Sequence, residues 1–322
     1  MILDIIFLIV GLALILAGAN MLTDGASAVA RRWGVSDMVV GLTVVAFGTS
    51  APELVISVVS SVKGQGELAI GNAVGSNIFN ILGIIGITAL VRPIKVERGT
   101  LTSDIPLVLV SSLTIFIFGS AWMIGDGVGR TLWRSDGLVL LLFFAIFMRY
   151  TFSRARDANP DELRASSAIK PMPAWKAWLW VALGLGGLVY GGDRFVDGAS
   201  GIARVMGVSD AVIGLTIVSV GTSLPELATS ITAALKGKQD LAVGNVIGSN
   251  IFNIFFVLGT SAAIRPLAFG SIGIVDLGVL TLASVLFWVF GWFFRDRIFT
   301  RAEGAVLTAV YIGYVAWLVV QA

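Results

Sequence analysis

Cysteine and histidine are both absent from the 322-residue sequence. Without cysteine there are no disulfides and no thiolate metal sites. Without histidine the commonest zinc ligand, general base and partner of a nucleophilic serine are gone. Charge is scarce too, at 13% of residues against about a quarter in a soluble domain. The net charge of +2 is too small for a nucleic-acid partner, and Lys and Arg fall between apolar runs instead of on one basic face. Carboxylates, amides, hydroxyls and backbone carbonyls remain for chemistry, a donor set that suits hard cations. No cofactor and no obligatory protein partner is implied.

What is abundant is apolar sequence, 57% of the chain. Runs of membrane-spanning length, separated by charged or Gly/Pro-bearing turns, predict ten helices in a lipid bilayer. They cover residues 2–29, 36–62, 66–91, 102–121, 135–153, 174–203, 209–235, 240–264, 273–294 and 302–320. The first run carries Asp4 where a signal peptide would be basic, so it reads as a membrane helix. One polar connector, residues 154–173, links helices 5 and 6. Counting Lys and Arg by loop gives sixteen on the side of that connector and five on the other, with Arg194 inside a span. The richer side is expected to be cytoplasmic, in a multi-pass protein of the cell membrane with both termini outside.

Two stretches 173 residues apart are near-copies. GLTVVAFGTSAPEL from Gly41 returns as GLTIVSVGTSLPEL from Gly214, and GNAVGSNIFNI from Gly71 returns as GNVIGSNIFNI from Gly244. The likeness extends to DGAS at Asp24 and Asp197, GVSD at Gly34 and Gly207, and Arg-Pro at Arg92 and Arg265. Five helices per copy is an odd number, so the second half, residues 174–322, is expected to cross the membrane inverted relative to the first, residues 1–153. Inverted repeats of this kind build secondary transporters, with a site near the bilayer midplane.

Each copy places a glutamate, Glu53 or Glu226, inside an apolar span. An intramembrane carboxylate costs about 3 kcal/mol, which argues for a function. Pro52 has no amide hydrogen and clashes with the carbonyl four residues back, so helix 2 is expected to break near Gly48 and free carbonyls around Ala46 to Thr49. Ala46, Thr49, Ser50 and Glu53 share one helical face, as do Ser219, Thr222, Ser223 and Glu226. On the next helix of each copy, Asn72, Ser76 and Asn80, or Asn245, Ser249 and Asn253, recur at steps of four, and Gly71 and Gly75 permit close helix approach. Packed together, these faces offer the six to eight oxygens that calcium needs, with two carboxylates to neutralise it or two sodium ions. The competing reading is a capping box, in which Glu53 satisfies amides at a half-helix start. That yields about 1 kcal/mol, too little to offset a buried charge. Asp24 and Asp197, near span ends, suit capping or a gate-side contact, and Asp193 and Arg194 suit pairing or snorkelling.

The paired GTSxPE and GNxxGSNxxN motifs resemble the alpha-repeats of the sodium/calcium exchanger family, in the calcium/cation antiporter superfamily, over essentially the whole chain. The resemblance implies an all-α fold of ten transmembrane helices in two inverted repeats, with helices 2, 3, 7 and 8 broken around a midplane cation site. It implies Glu53 and Glu226 as central ligands, with Thr49, Ser50, Thr222 and Ser223 beside them, then Ser76, Asn80, Ser249, Asn253 and the carbonyls of Ala46 and Ser219. The implied activity is not enzymatic: sodium exchanged for calcium by alternating access. Alternatives are a calcium/proton exchanger, whose branch carries a glutamate where this chain has Gly75 and Gly248, and a potassium-dependent exchanger. Some relatives have aspartate at the position of Asn253. A channel would differ in carrying faster currents without countertransport.

Overall fold

The computed structural model describes residues 2–124, 130–156, 172–207, 219–293 and 297–321. The helices in chain order are α1 (Ile2–Trp33), α2 (Asp37–Thr49), α3 (Ala51–Val62), α4 (Gly66–Val91), α5 (Thr100–Ala121), α6 (Arg134–Arg156), α7 (Ala174–Val205), α8 (Ser219–Thr222), α9 (Leu224–Leu235), α10 (Gln239–Ile264), α11 (Ile274–Phe293) and α12 (Arg301–Gln321). Among the described residues, seven helices are long and apolar enough to span a membrane, and α2 with α3 makes an eighth span bent by 49°. Most of the 154–173 connector, and the start of the helix expected at 209–235, lie outside the described residues.

The chain's layers follow from burial. In the most apolar window of α10, 94% of residues are buried, and 78% in α4, against 22% or less in α1, α6 and α12. So α4 and α10 form the centre, and the outer helices turn bare Ile, Leu, Val and Trp outward. Such a surface is stable only against lipid.

Backbone approach at glycine knits the sequence halves together. Methyl groups placed on Gly11, Gly18 and Gly25 of α1 would meet backbone at Gly191, Gly184 and Ala177 of α7, at 2.7, 2.7 and 2.9 Å. The partner numbers fall as the α1 numbers rise, so these two 32-residue helices run antiparallel. Likewise Gly86 of α4 backs onto Gly304 of α12, and Gly259 of α10 onto Gly137 of α6. Small residues at such crossings let helix backbones close up where lipid provides no hydrophobic drive. Gly248 does so against Leu42 and Ala46 of α2, whereas Gly75 has no neighbour within 4 Å of an added Cβ among the described residues, so its expected packing role is not seen.

Two expectations are corrected, the breaks in helices 3 and 8 and the partnerless Ala46 carbonyl. Helices 3 and 8 are not broken: α4 and α10 run through, each relaxing into a π turn, Phe79–Ile85 and Phe252–Leu258. Neither segment holds a proline, so no missing amide or ring clash forces a break there. Two-residue antiparallel ladders join β1 (Ile94–Lys95) to β4 (Ile298–Phe299) and β2 (Thr131–Leu132) to β3 (Leu267–Ala268), satisfying loop amides at the helix ends.

Candidate cation site

Pro52 sits in the first turn of α3, and the chain turns at Ser50, whose φ of −85° and ψ of 10° leave the helical region. Proline at the start of a helix loses nothing, because the first amides have no helical acceptor anyway. The second copy repeats this with Pro225 opening α9 after Ser223, at φ −94° and ψ 8°. The expected break in helix 2 is therefore present, but the Ala46 carbonyl is not left without a partner. It accepts the Ser50 amide at 3.0 Å and lies 3.4 Å from the Thr49 hydroxyl. In the second copy the Ser223 amide donates to the Val220 carbonyl, at 3.1 Å.

Both glutamates stand in the first turns of the half-helices α3 and α9, each 1% exposed. Their hydrogen bonds cross between the copies. Ser50 donates to Glu226 Oε1 at 2.8 Å, and Ser223 to Glu53 Oε1 at 3.3 Å. From the central helices, Ser76 reaches Glu53 Oε1 and Ser249 reaches Glu226 Oε1, both at 3.5 Å. The Thr222 and Thr49 hydroxyls also bear on Glu53 and Glu226 respectively. This arrangement removes the capping-box reading. Neither Ser50 nor Ser223 caps its own helix with its side chain, and each spends its hydroxyl on the carboxylate of the other copy.

Asn72 and Asn245 hold the half-helices in place. Asn72 Nδ2 donates to the Glu53 carbonyl at 3.2 Å and to Ser57 Oγ at 3.0 Å, and Asn245 Nδ2 to the Glu226 carbonyl at 3.3 Å and Ser230 Oγ at 3.1 Å. Thr49 donates across to Asn245 Oδ1 at 3.2 Å. The sequence motif thus divides its labour: the asparagine two residues into GNxxGSN fixes backbone, and the serine four residues later faces the carboxylate. Reading the sequence by face alone missed Ser57 and Ser230, which are buried polar residues one turn beyond each glutamate, and missed Asn77 and Asn250, which are buried beside the serine of the motif.

Several buried oxygens have no partner. Those on the two glutamates and in the two GSNxxN segments are Oε2 of Glu53, Oε2 of Glu226, and Oδ1 of Asn80, Asn250 and Asn253. Four of these belong to two pairs of repeat-equivalent residues, Glu53 with Glu226 and Asn80 with Asn253. A buried polar atom without a partner costs about 1–3 kcal/mol, and more when charged, so this set of acceptors calls for a positive ligand. Neither lysine nor arginine is bonded to either carboxylate among the described residues. The donors fit a hard cation: carboxylate, amide and hydroxyl oxygens without nitrogen or sulfur. A separate cavity of about 430 Å³ lies beside the break, lined by Phe47, Gly48, Phe144, Trp178 and Leu185, but it contains no carboxylate and is not the cation site.

Outside the site, Asp24 of α1 pairs with Lys236, just past the end of α9, at 2.7 Å. Its equivalent Asp197 pairs instead with Arg194 of its own helix, at 2.9 Å.

Comparison with known proteins bears on these features. A family model described as sodium/calcium exchanger protein matches residues 3–153 and 176–320. The sodium/calcium exchanger MaX1 of Methanosarcina acetivorans is 33% identical over 348 residues, covering 98% of both chains. The inner membrane protein YrbG of Escherichia coli is 38% identical over 331 residues, covering 99% of this chain and 96% of that protein. A solved structure of the sodium-calcium exchanger NCX_Mj superposes with a TM-score of 0.82 at 33% identity, over 98% of each chain.

Proposed function

Because the chain belongs to the sodium/calcium exchanger protein family, a family and fold of cation antiporters and not of enzymes, we propose that it exchanges sodium for calcium across the cell membrane by alternating access. In this reading ten transmembrane helices form two inverted repeats, residues 1–153 and 174–322, joined by a cytoplasmic connector at 154–173, with both termini outside. The antiparallel register of α1 against α7 supports it, because these helices occupy equivalent places in the two copies. So do reciprocal contacts at the two ends of the molecule. Arg92 donates to the Leu235 carbonyl at 2.8 Å, and its equivalent Arg265 to the Val62 carbonyl at 3.2 Å.

The observation that carries the reading is the pair of buried carboxylates, each with one oxygen taken by hydroxyls from both copies and one without a partner. Calcium takes Oε2 of Glu53 and Glu226 and draws the rest of its six to eight oxygens from among Asn80, Asn253, Thr49, Thr222, Ser50, Ser223, Ser76 and Ser249, with the carbonyls of Ala46 and Ser219 serving sodium or calcium. Sodium ions bind overlapping ligands, so the two cargoes exclude each other. Neutralising two carboxylates lets the loaded core move through a low-dielectric environment, whereas the empty, doubly charged core is held back. Sodium-gradient-driven calcium uptake into vesicles containing the purified protein tests this. Uptake driven by a pH gradient without sodium would assign the proton-coupled alternative, against which Gly75 and Gly248 already weigh, and uptake requiring potassium the potassium-dependent one.

A further inference from the structure

Asparagine differs from aspartate in having a wrong end. A carboxylate offers oxygen from either side, but an amide turned through 180° presents an NH2 group, which repels a cation. Any asparagine ligand therefore needs something to fix its orientation, and for Asn253 the structure contains such a device.

The chain of polarity begins at an unambiguous acceptor. The Asn250 backbone carbonyl accepts from Asn77 Nδ2 at 3.0 Å. That bond commits the Asn77 NH2 group, and leaves Asn77 Oδ1 as the acceptor on its other side. Asn253 Nδ2 donates to this oxygen at 3.1 Å. With its NH2 group so held, Asn253 keeps Oδ1 buried and without a partner. Asn253 lies one turn beyond Ser249 on the same helical face, and Ser249 donates to Glu226. Reversing the Asn253 amide would set oxygen against oxygen at Asn77, and reversing Asn77 would set its oxygen against a carbonyl. Both residues are at most 1% exposed, so water offers no alternative partner.

We infer that Asn77 is a positioning residue: it fixes the Asn253 amide so that oxygen, and not NH2, faces the transported cation. The inference rests on the cation site proposed above and adds a residue of the first half that acts on a ligand of the second. The equivalent relay is not made. Asn250 Nδ2 turns back to the Val246 carbonyl of its own helix at 2.7 Å, and the Asn80 amide is without partners at either end. The assignment is therefore to Asn77 and Asn253 alone.

The test is a double-mutant cycle on the full-length protein, reading half-saturating calcium and maximal rate for exchange in vesicles, and the calcium-dependent rise in melting temperature in detergent. Asn77→Leu is expected to raise half-saturating calcium about tenfold, the effect of losing one oriented ligand oxygen, with a smaller change in maximal rate. In an Asn253→Asp background, where both ends are oxygen, the same substitution is expected to cost less than about threefold. Equal losses in the two backgrounds, or no loss in the first, would overturn the assignment. Should Asn77→Leu fail to fold, Asn77→Ala removes the same acceptor with less bulk and is read in the same two backgrounds; equal losses there would also overturn it. The melting-temperature shift reads calcium binding without transport. A wild type that binds calcium but shows no sodium-driven uptake therefore refutes the exchange reading and leaves the cycle readable.

Discussion

The Ser50 hydroxyl, from the first GTS motif, donates to the Glu226 carboxylate beside the second across 2.8 Å. Two sequence copies thus close one site by exchanging bonds, with Ser223 returning the contact to Glu53 at 3.3 Å. Hydrogen bonds to charged groups contribute about 1.5–3 kcal/mol, so Ser50→Ala is expected to weaken apparent cation affinity by roughly ten- to a hundredfold. Ser223→Ala, losing the longer bond, is expected to weaken it less. Half-saturating calcium and sodium in vesicle uptake provide the measurement.

Asn72 and Asn245 hold the carbonyls of the two glutamates and do not touch their carboxylates in the contacts described. Replacing either by leucine releases the start of a half-helix and leaves a buried carbonyl short of a donor, a cost of about 1–3 kcal/mol. Both variants are expected to show a lower melting temperature even without calcium or sodium. That separates them from Glu53→Gln and Glu226→Gln, whose losses should appear in the response to cations.

A methyl group on Gly184 would lie 2.6 Å from the Leu22 amide nitrogen, whereas at Gly186 it would meet nothing within 4 Å. Gly184→Ala is therefore expected to push α1 and α7 apart, at about 1–3 kcal/mol, and Gly186→Ala to be neutral. Thermal unfolding in detergent checks the pair.

Asp24 and Asp197 are repeat equivalents, as are Lys236 and Lys63, yet Asp24 pairs with Lys236 while Asp197 pairs with Arg194. On the proposed reading of inverted repeats with alternating access, this asymmetry is expected to reverse in the opposite-facing form. Because the chain has no cysteine, introduced pairs report without background. Cross-linking of Asp24→Cys with Lys236→Cys and of Asp197→Cys with Lys63→Cys should respond in opposite directions when sodium is applied to one side.

Pro52 and Pro225 made the two breaks legible in the sequence, because a missing amide and a ring clash act locally and need no knowledge of the fold. The glutamates were legible for a similar reason, since an acid within an apolar span has few uses. The crossing of Ser50 to Glu226 was not, because two identical motifs do not state which carboxylate each hydroxyl serves; that depends on how the copies pack. The π turns at Phe79–Ile85 and Phe252–Leu258 carry no breaker residue, so the expectation of breaks in those helices failed. Asn77 was hidden in plain view, inside the GSN motif but off the face that carries Ser76 and Asn80.

The most direct measurement is calcium uptake into vesicles driven by an outward sodium gradient, comparing the wild type with Glu53→Gln and Glu226→Gln. The account predicts uptake that follows the sodium gradient in the wild type and falls at least about tenfold in each variant, since calcium affinity depends on ligand charge. Sodium-driven uptake that survives in both variants would contradict the assignment of these two carboxylates as the shared cation ligands.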